Sequence, residues 1–387
     1  MEVIDYLRKN GIKKLQEEFD ISVKFYKDRI ILNYRQSTEK KFHPIVKECR
    51  GLILRYNPIK DFRQQDFKVL CRSFDRFYNY GENPDDEYFK FEEAVFTEKL
   101  DGTLINVYHD GKKWCVATRK TAFGESSLPF TDKSFFEYFT ETLMNNINYK
   151  IKMINKNITI NIPEDFYDLF ENYGCKEYTY IFELTGIENR IVTPYDKNKV
   201  TLLDCRNKYT GEYITFSCLK SIATKMMIDT VKFYDFNTVN QALESFNKTS
   251  QFFEGYVAII KNENHRRIKI KNPSYVFYHK KRNMGNFSKE FILELLIEEN
   301  YKEWLKTFPF DEKILKPYID KYNKLLKLIE TDYKKYKDIE SQKDYAILVK
   351  KKPYANILFS LRKEYKNPEE YLKTISKKQF FKLIDSM

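Results

Sequence analysis

Phe96-Thr97-Glu98-Lys99-Leu100-Asp101-Gly102-Thr103-Leu104 is the most informative stretch of this chain. Ala94-Val95-Phe96 lead into it as an apolar, strand-like run. Leu104-Ile105-Asn106-Val107-Tyr108 leave it, followed by Asp110-Gly111 and Trp114-Cys115-Val116-Ala117-Thr118. β-rich runs joined through Asp-Gly are a strong hairpin signal. The pattern therefore puts Lys99 at a strand end of a hairpin, followed at once by an acid and by a glycine that admits close approach of a ligand. A lysine so placed can serve as a nucleophile. Its ordinary pKa leaves only about one amine in a thousand neutral at pH 7, so neighbours must lower that pKa by charge or by desolvation. An exposed lysine beside a turn would give the same four residues, and the other stretches must make the distinction.

On either side of this stretch the chain continues in strands. Val23-Lys24-Phe25-Tyr26, Arg29 to Tyr34 and Glu48-Cys49-Arg50-Gly51-Leu52-Ile53-Leu54-Arg55 precede it, after an amphipathic helix over residues 1–20 weakened at Gly11. Val69 to Glu82 is basic, aromatic and ends in a turn. Downstream, Thr118-Arg119-Lys120-Thr121 closes a strand with two cations. Residues 132–150 read as helical and 151–178 as mixed. Tyr178 to Gly186 is a strand carrying one embedded acid, Glu183, and Val200 to Arg206 is another. Residues 216–227 and 236–247 read as helices. Phe253-Glu254-Gly255-Tyr256-Val257-Ala258 opens a strand on Glu-Gly, and Arg266 to Lys271 alternates cation with aliphatic, so Arg267, Lys269 and Lys271 share one strand face. From Ser288 the spacing turns helical, with a capped start at Ser288 and a long lysine-rich segment through Tyr336. This places one domain at 1–285 and an all-helical domain at 286–387.

The 387 residues suit two domains, and an apolar fraction of 42% with 17% aromatics is enough for a real core. The net charge of +12 fits a polyanionic partner, and equally a Lys- and Asn-rich composition bias. Six scattered cysteines without Cys-x-x-Cys point to a reducing, intracellular compartment. The four histidines show no metal-ligand spacing. No apolar run is long enough for a membrane span, and the opening residues do not read as a signal peptide.

In order, then, the chain offers Arg50-Gly51, Arg76, Lys99-x-Asp101-Gly102, Phe182-Glu183, Glu254-Gly255 and Lys269-x-Lys271. A lysine nucleophile, several cations and two carboxylates on one sheet face would suit attack on a nucleoside triphosphate. Neither Gly-x-x-x-x-Gly-Lys-[Ser/Thr] nor Gly-x-Gly-x-x-Gly is present, which leaves the ordinary P-loop and kinase readings without support.

This order resembles the covalent nucleotidyltransferase superfamily of ATP-dependent ligases and capping enzymes, and within it the phage RNA ligase 1 family. Glu48-Cys49-Arg50-Gly51, Phe77-Tyr78-Asn79, Glu82-Asn83-Pro84, Lys99-Leu100-Asp101-Gly102-Thr103, Asn189-Arg190-Ile191-Val192, Thr210-Gly211-Glu212-Tyr213, Glu254-Gly255-Tyr256-Val257-Ala258 and Lys269-Ile270-Lys271 carry the likeness, over residues 1–285. It implies an α+β fold: an adenylyltransferase domain with antiparallel sheets around an ATP pocket, then a C-terminal helical domain. It also implies an enzyme that joins RNA 3′-hydroxyl and 5′-phosphate ends, using ATP and Mg²⁺ or Mn²⁺. Lys99 would form lysyl-AMP. Arg50, Arg76, Asp101, Gly102, Lys120, Phe182, Glu183, Lys269 and Lys271 would form the ATP site, with Glu183 on the ribose and Glu254 helping to bind the metal. Two departures stand out. Arg76 replaces the family's usual Lys, exchanging a point charge for a planar fork, and Thr103 replaces Ser. The expected setting is RNA repair, with tRNA cut in its anticodon loop as a candidate substrate, by a monomer free of membranes in the cytoplasm of a bacterial or phage-infected cell. A DNA ligase or mRNA guanylyltransferase would carry a five-stranded barrel after Lys271, where this sequence reads as helical. A non-catalytic basic RNA-binding protein would leave the ordered motifs unexplained.

Overall fold

Alternating apolar residues and short turns give fourteen strands among the described residues up to Lys271, which the computed structural model gathers into three sheets. The structure describes residues 1–153, 163–282, 287–364 and 367–387. Two compact units result, Met1–Tyr278 and His279–Met387. The division falls within helix Pro273–Arg282, a few residues ahead of the 285/286 boundary expected from sequence texture.

The first sheet is antiparallel and ordered β1 (Ile21–Phe25), β2 (Arg29–Tyr34), β3 (Arg50–Arg55), β4 (Val69–Cys71). Helix α1 (Glu2–Phe19) buries Val3, Leu7, Leu15 and Phe19 against it, and breaks its helical geometry at Gly11 as the sequence suggests. Short helix α2 (Pro44–Glu48) lies where the sequence reads as loop. The His43 ring accepts the Ile45 N–H at 3.2 Å, and Pro44 occupies the first turn, a pairing that starts a helix too short to show periodicity.

After β5 (Tyr78–Asn79) come β6 (Ala94–Lys99), β7 (Thr103–His109) and β8 (Trp114–Thr118). β7 and β8 form the hairpin announced by Asp110-Gly111. β6 does not pair with β7. At Leu100-Asp101-Gly102 the chain crosses from one sheet to another, so Lys99 ends a strand at a crossover, not in a hairpin. The second sheet has the order β11 (Asp229–Thr230), β10 (Lys199–Asn207), β9 (Tyr178–Thr185), β7, β8. The third is β12 (Phe233–Tyr234), β6, β13 (Gly255–Ile260), β14 (Arg266–Lys271), β5.

Helices α3 (Phe135–Met153), α4 (Phe166–Tyr173) and α5 (Phe216–Lys225) cover the outer face of the second sheet, burying Phe139, Phe170 and Phe182 with Trp114. The middle of the mixed segment 151–178 lies outside the described residues. Helix α6 (Val239–Ser245) packs its Ala242 with Phe96 and Tyr256 of the third sheet. Helix α7 (Pro273–Arg282) follows β14 directly. The His279–Met387 unit carries helices and no strand among its described residues. It is centred on Glu312–Tyr336, whose Leu315, Tyr322, Leu325 and Ile329 form a buried stripe, and Ser288 caps the helix Lys289–Ile297 by accepting the Phe291 N–H.

Candidate active site

Register alone brings the key side chains together. Gly255 of β13 lies opposite Lys99 of β6 on one side and opposite Lys271 of β14 on the other. One step along, Val257 stands between Thr97 and Lys269, and then Ile259 between Val95 and Arg267. Directly opposed residues share a sheet face, so Lys99, Lys269, Lys271 and Arg267 project from one surface. Gly255 is required here. Its φ is +138°, and a Cβ would sit 2.1 Å from the Ile270 carbonyl oxygen. The close approach sets the preceding Glu254 between two strands. Its buried carboxylate meets Lys99 Nζ at 2.8 Å through Oε2 and Lys271 Nζ at 3.0 Å through Oε1.

Across a cleft of about 600 Å³, the second sheet supplies Leu104, Glu183 and Leu203, and Arg50 enters from β3. Phe74 and Phe77 line the same cleft. Lys269 Nζ donates to the Phe77 carbonyl at 2.9 Å and lies over its ring, and the Arg50 guanidinium lies 5.4 Å from the same ring. Arg50 Nη1 is buried without a hydrogen-bond partner, a donor aimed at something other than protein.

Electrostatics divides these groups. Burial disfavours the Lys99 ammonium, but Glu254, Glu183 and Asp101 outweigh burial and hold its pKa above the usual lysine value. Burial would raise the Glu254 carboxyl, yet Lys99 and Lys271 pull it down. Glu183 is pushed up to about 8, chiefly by burial, with Glu254 and Asp101 adding to it against Lys99 and Arg50. Lys269 sits well below the ordinary lysine value through burial and its neighbours Arg50, Lys99 and Lys271. In the resting state Lys99 is therefore held as a charged amine, whereas the surroundings of Lys269 disfavour its charged form.

Asp101 and Gly102 have structural duties here. Asp101 accepts the Val192 and Thr193 N–H groups, both at 2.7 Å, and the Tyr275 hydroxyl at 2.6 Å, while its own N–H donates to the Tyr195 hydroxyl. Neither residue lines the cleft. A Cβ at Gly102 would meet the Leu184 carbonyl oxygen at 2.3 Å, so the glycine permits the crossover to pass β9. The Asn189-Arg190-Ile191-Val192 motif completes this clamp: Asn189 accepts from Thr103 and donates to the Leu184 carbonyl.

Three further expectations change. Phe182, a neighbour of Glu183 on β9, points the opposite way because strand side chains alternate; it is fully buried against Phe139 and Phe170 and does not reach the cleft. Lys120 is exposed and does not line the cleft. The inward cation of that turn is Arg119, whose Nε donates to Asn33 at 2.9 Å and whose guanidinium lies 4.4 Å from the Tyr34 ring centre. Arg76 lies over the same ring at 4.2 Å, yet it lines an adjoining cavity and not the Lys99 cleft. Sequence reading also passed over Thr97, Val257 and Ile259. The two-residue periodicity running back from Lys99 and on from Gly255 marks them as sharing its face.

Among the described residues no group of three or more His, Cys, Asp or Glu forms a metal cage. Glu254 and Glu183 beside the cleft do suit a hard divalent ion that arrives with phosphate oxygens and keeps water, as Mg²⁺ sites commonly do.

Comparison with known proteins places the chain in a family. A family model described as RNA ligase matches residues 48–281. A protein of Autographa californica nuclear polyhedrosis virus named "Putative bifunctional polynucleotide kinase/RNA ligase" is 31% identical over 334 residues, 82% of this chain and 43% of that protein. An RNA ligase of Rhodothermus phage RM378 is 24% identical over 345 residues, 74% of this chain and 72% of its own length. The chain thus spans less than half of the first relative. A solved archaeal ATP-dependent RNA ligase aligns over 96% of this chain and 81% of its own, at 9% identity and a TM-score of 0.44. The matched span runs from the Arg50 strand through Lys99 and Glu254 to the Lys271 strand and beyond, and on that match the chain belongs to the RNA ligase family.

Proposed function

We propose that this chain is an ATP-dependent RNA ligase that joins RNA 3′-hydroxyl and 5′-phosphate ends through lysyl-AMP and adenylylated-RNA intermediates. The supporting observation is the cross-strand row Lys99, Gly255, Lys271, with Glu254 bridging both ammoniums at the edge of a cleft lined by Arg50 and Lys269.

In the first step neutral Lys99 Nζ attacks the α-phosphorus of ATP. A P–N bond forms, the bond to the bridging oxygen breaks, and pyrophosphate leaves. The departing Lys99 proton has Glu254 Oε2 as its nearest carboxylate acceptor. Lys269 and Lys271 take up charge on the α-phosphate and Arg50 on the leaving pyrophosphate, each already fixed before reaction. Burial and the neighbouring cations disfavour the charged form of Lys269 at rest, and a bound phosphate would favour it. Glu183, with a pKa near neutrality, can both donate to and accept from ribose hydroxyls. Glu254, with Glu183 beside it, would hold a Mg²⁺ or Mn²⁺ ion, which when bound offsets charge on the phosphates. In the second step an oxygen of the RNA 5′-phosphate attacks the lysyl-AMP phosphorus; the P–N bond breaks and Lys99 leaves as an amine. In the third, the RNA 3′-hydroxyl attacks the activated 5′-phosphorus, loses its proton, and AMP departs. The same reading has RNA repair as the setting, cleaved tRNA as a candidate substrate, and a cytoplasmic monomer as the working form.

The test is incubation of pyrophosphate-treated protein with α-labelled ATP and Mg²⁺ beside Lys99→Ala, then a denaturing gel. Label on the wild-type band alone is expected, and its transfer to 5′-phosphorylated RNA in preference to nicked DNA. An unlabelled wild-type band would leave the chain as an RNA-binding protein. A DNA-ligase or guanylyltransferase reading is not favoured, since no strand follows β14 among the described residues.

A further inference from the structure

We infer that Asn79 and Glu82, at the open edge of the sheet face that carries Lys99, hold the ribose of the RNA 3′-terminal nucleotide by accepting hydrogen bonds from its 2′- and 3′-hydroxyls; the inference rests on the ligase reading above. β5 is the last strand of the third sheet and pairs in parallel with β14, so that Asn79 stands beside Lys269. The Tyr80 N–H donates to the Lys269 carbonyl at 2.8 Å and carries the pairing one residue further. Phe77, one strand period before Asn79, lines the Lys99 cleft. Asn79 thus extends the cross-strand row Thr97, Val257, Lys269 to the edge of the sheet. It is exposed there, and a Cβ added at neighbouring Gly81 would meet nothing within 4 Å, so the space over this turn is open. Three strand spacings, roughly 14 Å, separate β6 from β5. The Lys99 side chain and the two linked phosphates of adenylylated RNA can bridge that span along one continuous face.

The chemistry changes along this face. β6 and β14 present the ammoniums of Lys99, Lys269 and Lys271, whereas β5 and its turn present acceptors. Glu82 Oε2 accepts the Asn79 backbone N–H at 3.1 Å and the Asn79 Nδ2 at 2.9 Å, and its Oε1 lies 3.4 Å from Lys41 Nζ. Burial would raise the Glu82 carboxyl, but the Asn79 N–H, Lys41 and Lys269 hold it below the usual carboxylate range. The bond from Nδ2 to Glu82 also fixes which way the amide faces. It turns Asn79 Oδ1 away from the carboxylate, and that oxygen accepts from no donor among the described residues. An ionised carboxylate repels phosphate and, with an amide oxygen beside it, accepts from hydroxyls. The joining reaction brings one end of each kind to this face: a phosphate end suited to the ammoniums and a hydroxyl end suited to these acceptors. The vicinal diol of a 3′-terminal ribose offers two donors side by side, and its 2′-hydroxyl is what separates RNA from DNA at one nucleotide. Donation through the proton leaves lone pairs on the 3′-oxygen for the attack.

The experiment gives pyrophosphate-treated, full-length protein a 5′-adenylylated RNA and compares acceptor strands of one sequence ending in ribose or in 2′-deoxyribose. Lysyl-AMP formation from ATP is measured beside sealing, in wild type, Asn79→Ala and Glu82→Gln. Wild type should seal the ribose end about 10-fold faster or more, the worth of a hydrogen bond to a charged group. Each variant should narrow that preference by about threefold or more, through slower sealing of the ribose end, because the variant and the missing hydroxyl remove the same contact. Lysyl-AMP formation should stay within about threefold of wild type. Glu82→Gln keeps an oxygen for the two Asn79 donors and serves if Asn79→Ala unfolds. An undiminished preference in either folded variant, or a wild type indifferent to the 2′-hydroxyl, would overturn the inference. Equal losses of lysyl-AMP formation and of sealing would assign the pair to the ribose of ATP and overturn it too. Wild type that forms no lysyl-AMP would sink the ligase reading itself, whereas failure of the other tests in a protein that forms lysyl-AMP removes the inference alone.

Discussion

Lys99 must lose a proton that its surroundings hold tightly. Three carboxylates raise its pKa above that of a free lysine, and burial does not reverse this. The rate of lysyl-AMP formation should accordingly climb with pH across roughly 6.5 to 9, as pre-steady-state labelling would show. A flat profile would mean that the ATP complex has already neutralised the amine. Glu183 gives a second prediction, about stability. Its folded pKa of about 8 exceeds the unfolded value, so the native state keeps a proton that the unfolded chain has released. Native stability should therefore fall as pH rises from the unfolded value towards 8. Glu183→Gln should raise stability at pH 8 by about 2 kcal/mol, after allowance for coupling to Lys99 and Glu254, while sealing drops. Equal denaturation midpoints at pH 8 and pH 5 in wild type would refute the assignment.

Between strands, Gly255 is the tightest joint. Gly255→Ala asks an L residue to adopt φ +138° and to push a methyl group towards the Ile270 carbonyl. It should cost at least about 2 kcal/mol and separate Glu254 from Lys99; thermal unfolding with and without ATP would measure both effects. Much at this scale was readable beforehand. Glu-Gly before an apolar run, and Lys-x-Lys on a strand, marked β13 and β14 directly, because a period of two leaves little choice of face. The failures share one cause: sequence shows a strand but not its partner. Nothing in Lys99-Leu100-Asp101-Gly102 says that β6 joins β13 and not β7. Phe182 stands beside Glu183 in the sequence, yet neighbours on a strand face opposite ways. In Arg119-Lys120 two adjacent cations compete for one inward position, and only the Asn33 and Tyr34 partners on β2 single out Arg119. The resemblance puts Arg76 with Arg50 in the ATP site, whereas the segment bearing Phe74 and Phe77 stands between the cavities they line.

Across the molecule, the lysine-studded helices after residue 279 contrast with a first unit that already holds every group named in the Lys99 cleft. Removing residues 288–387 should leave lysyl-AMP formation within about threefold of wild type and change which RNAs are sealed. Unchanged preference across a panel of RNA ends would show that the helical unit does not select substrate. RNA affinity of the full chain should fall steeply with salt, with a log–log slope near −0.7 per phosphate contacted on single strands. The cross-strand row bears on how such a chain can vary over generations. Lys99, Gly255 and Lys271 come from strands far apart in sequence but meet by register. A single inserted codon within β6, β13 or β14 would turn the residues beyond it to the opposite face. The intervening loops carry no such constraint, so drift in chain length should collect between the strands and spare them.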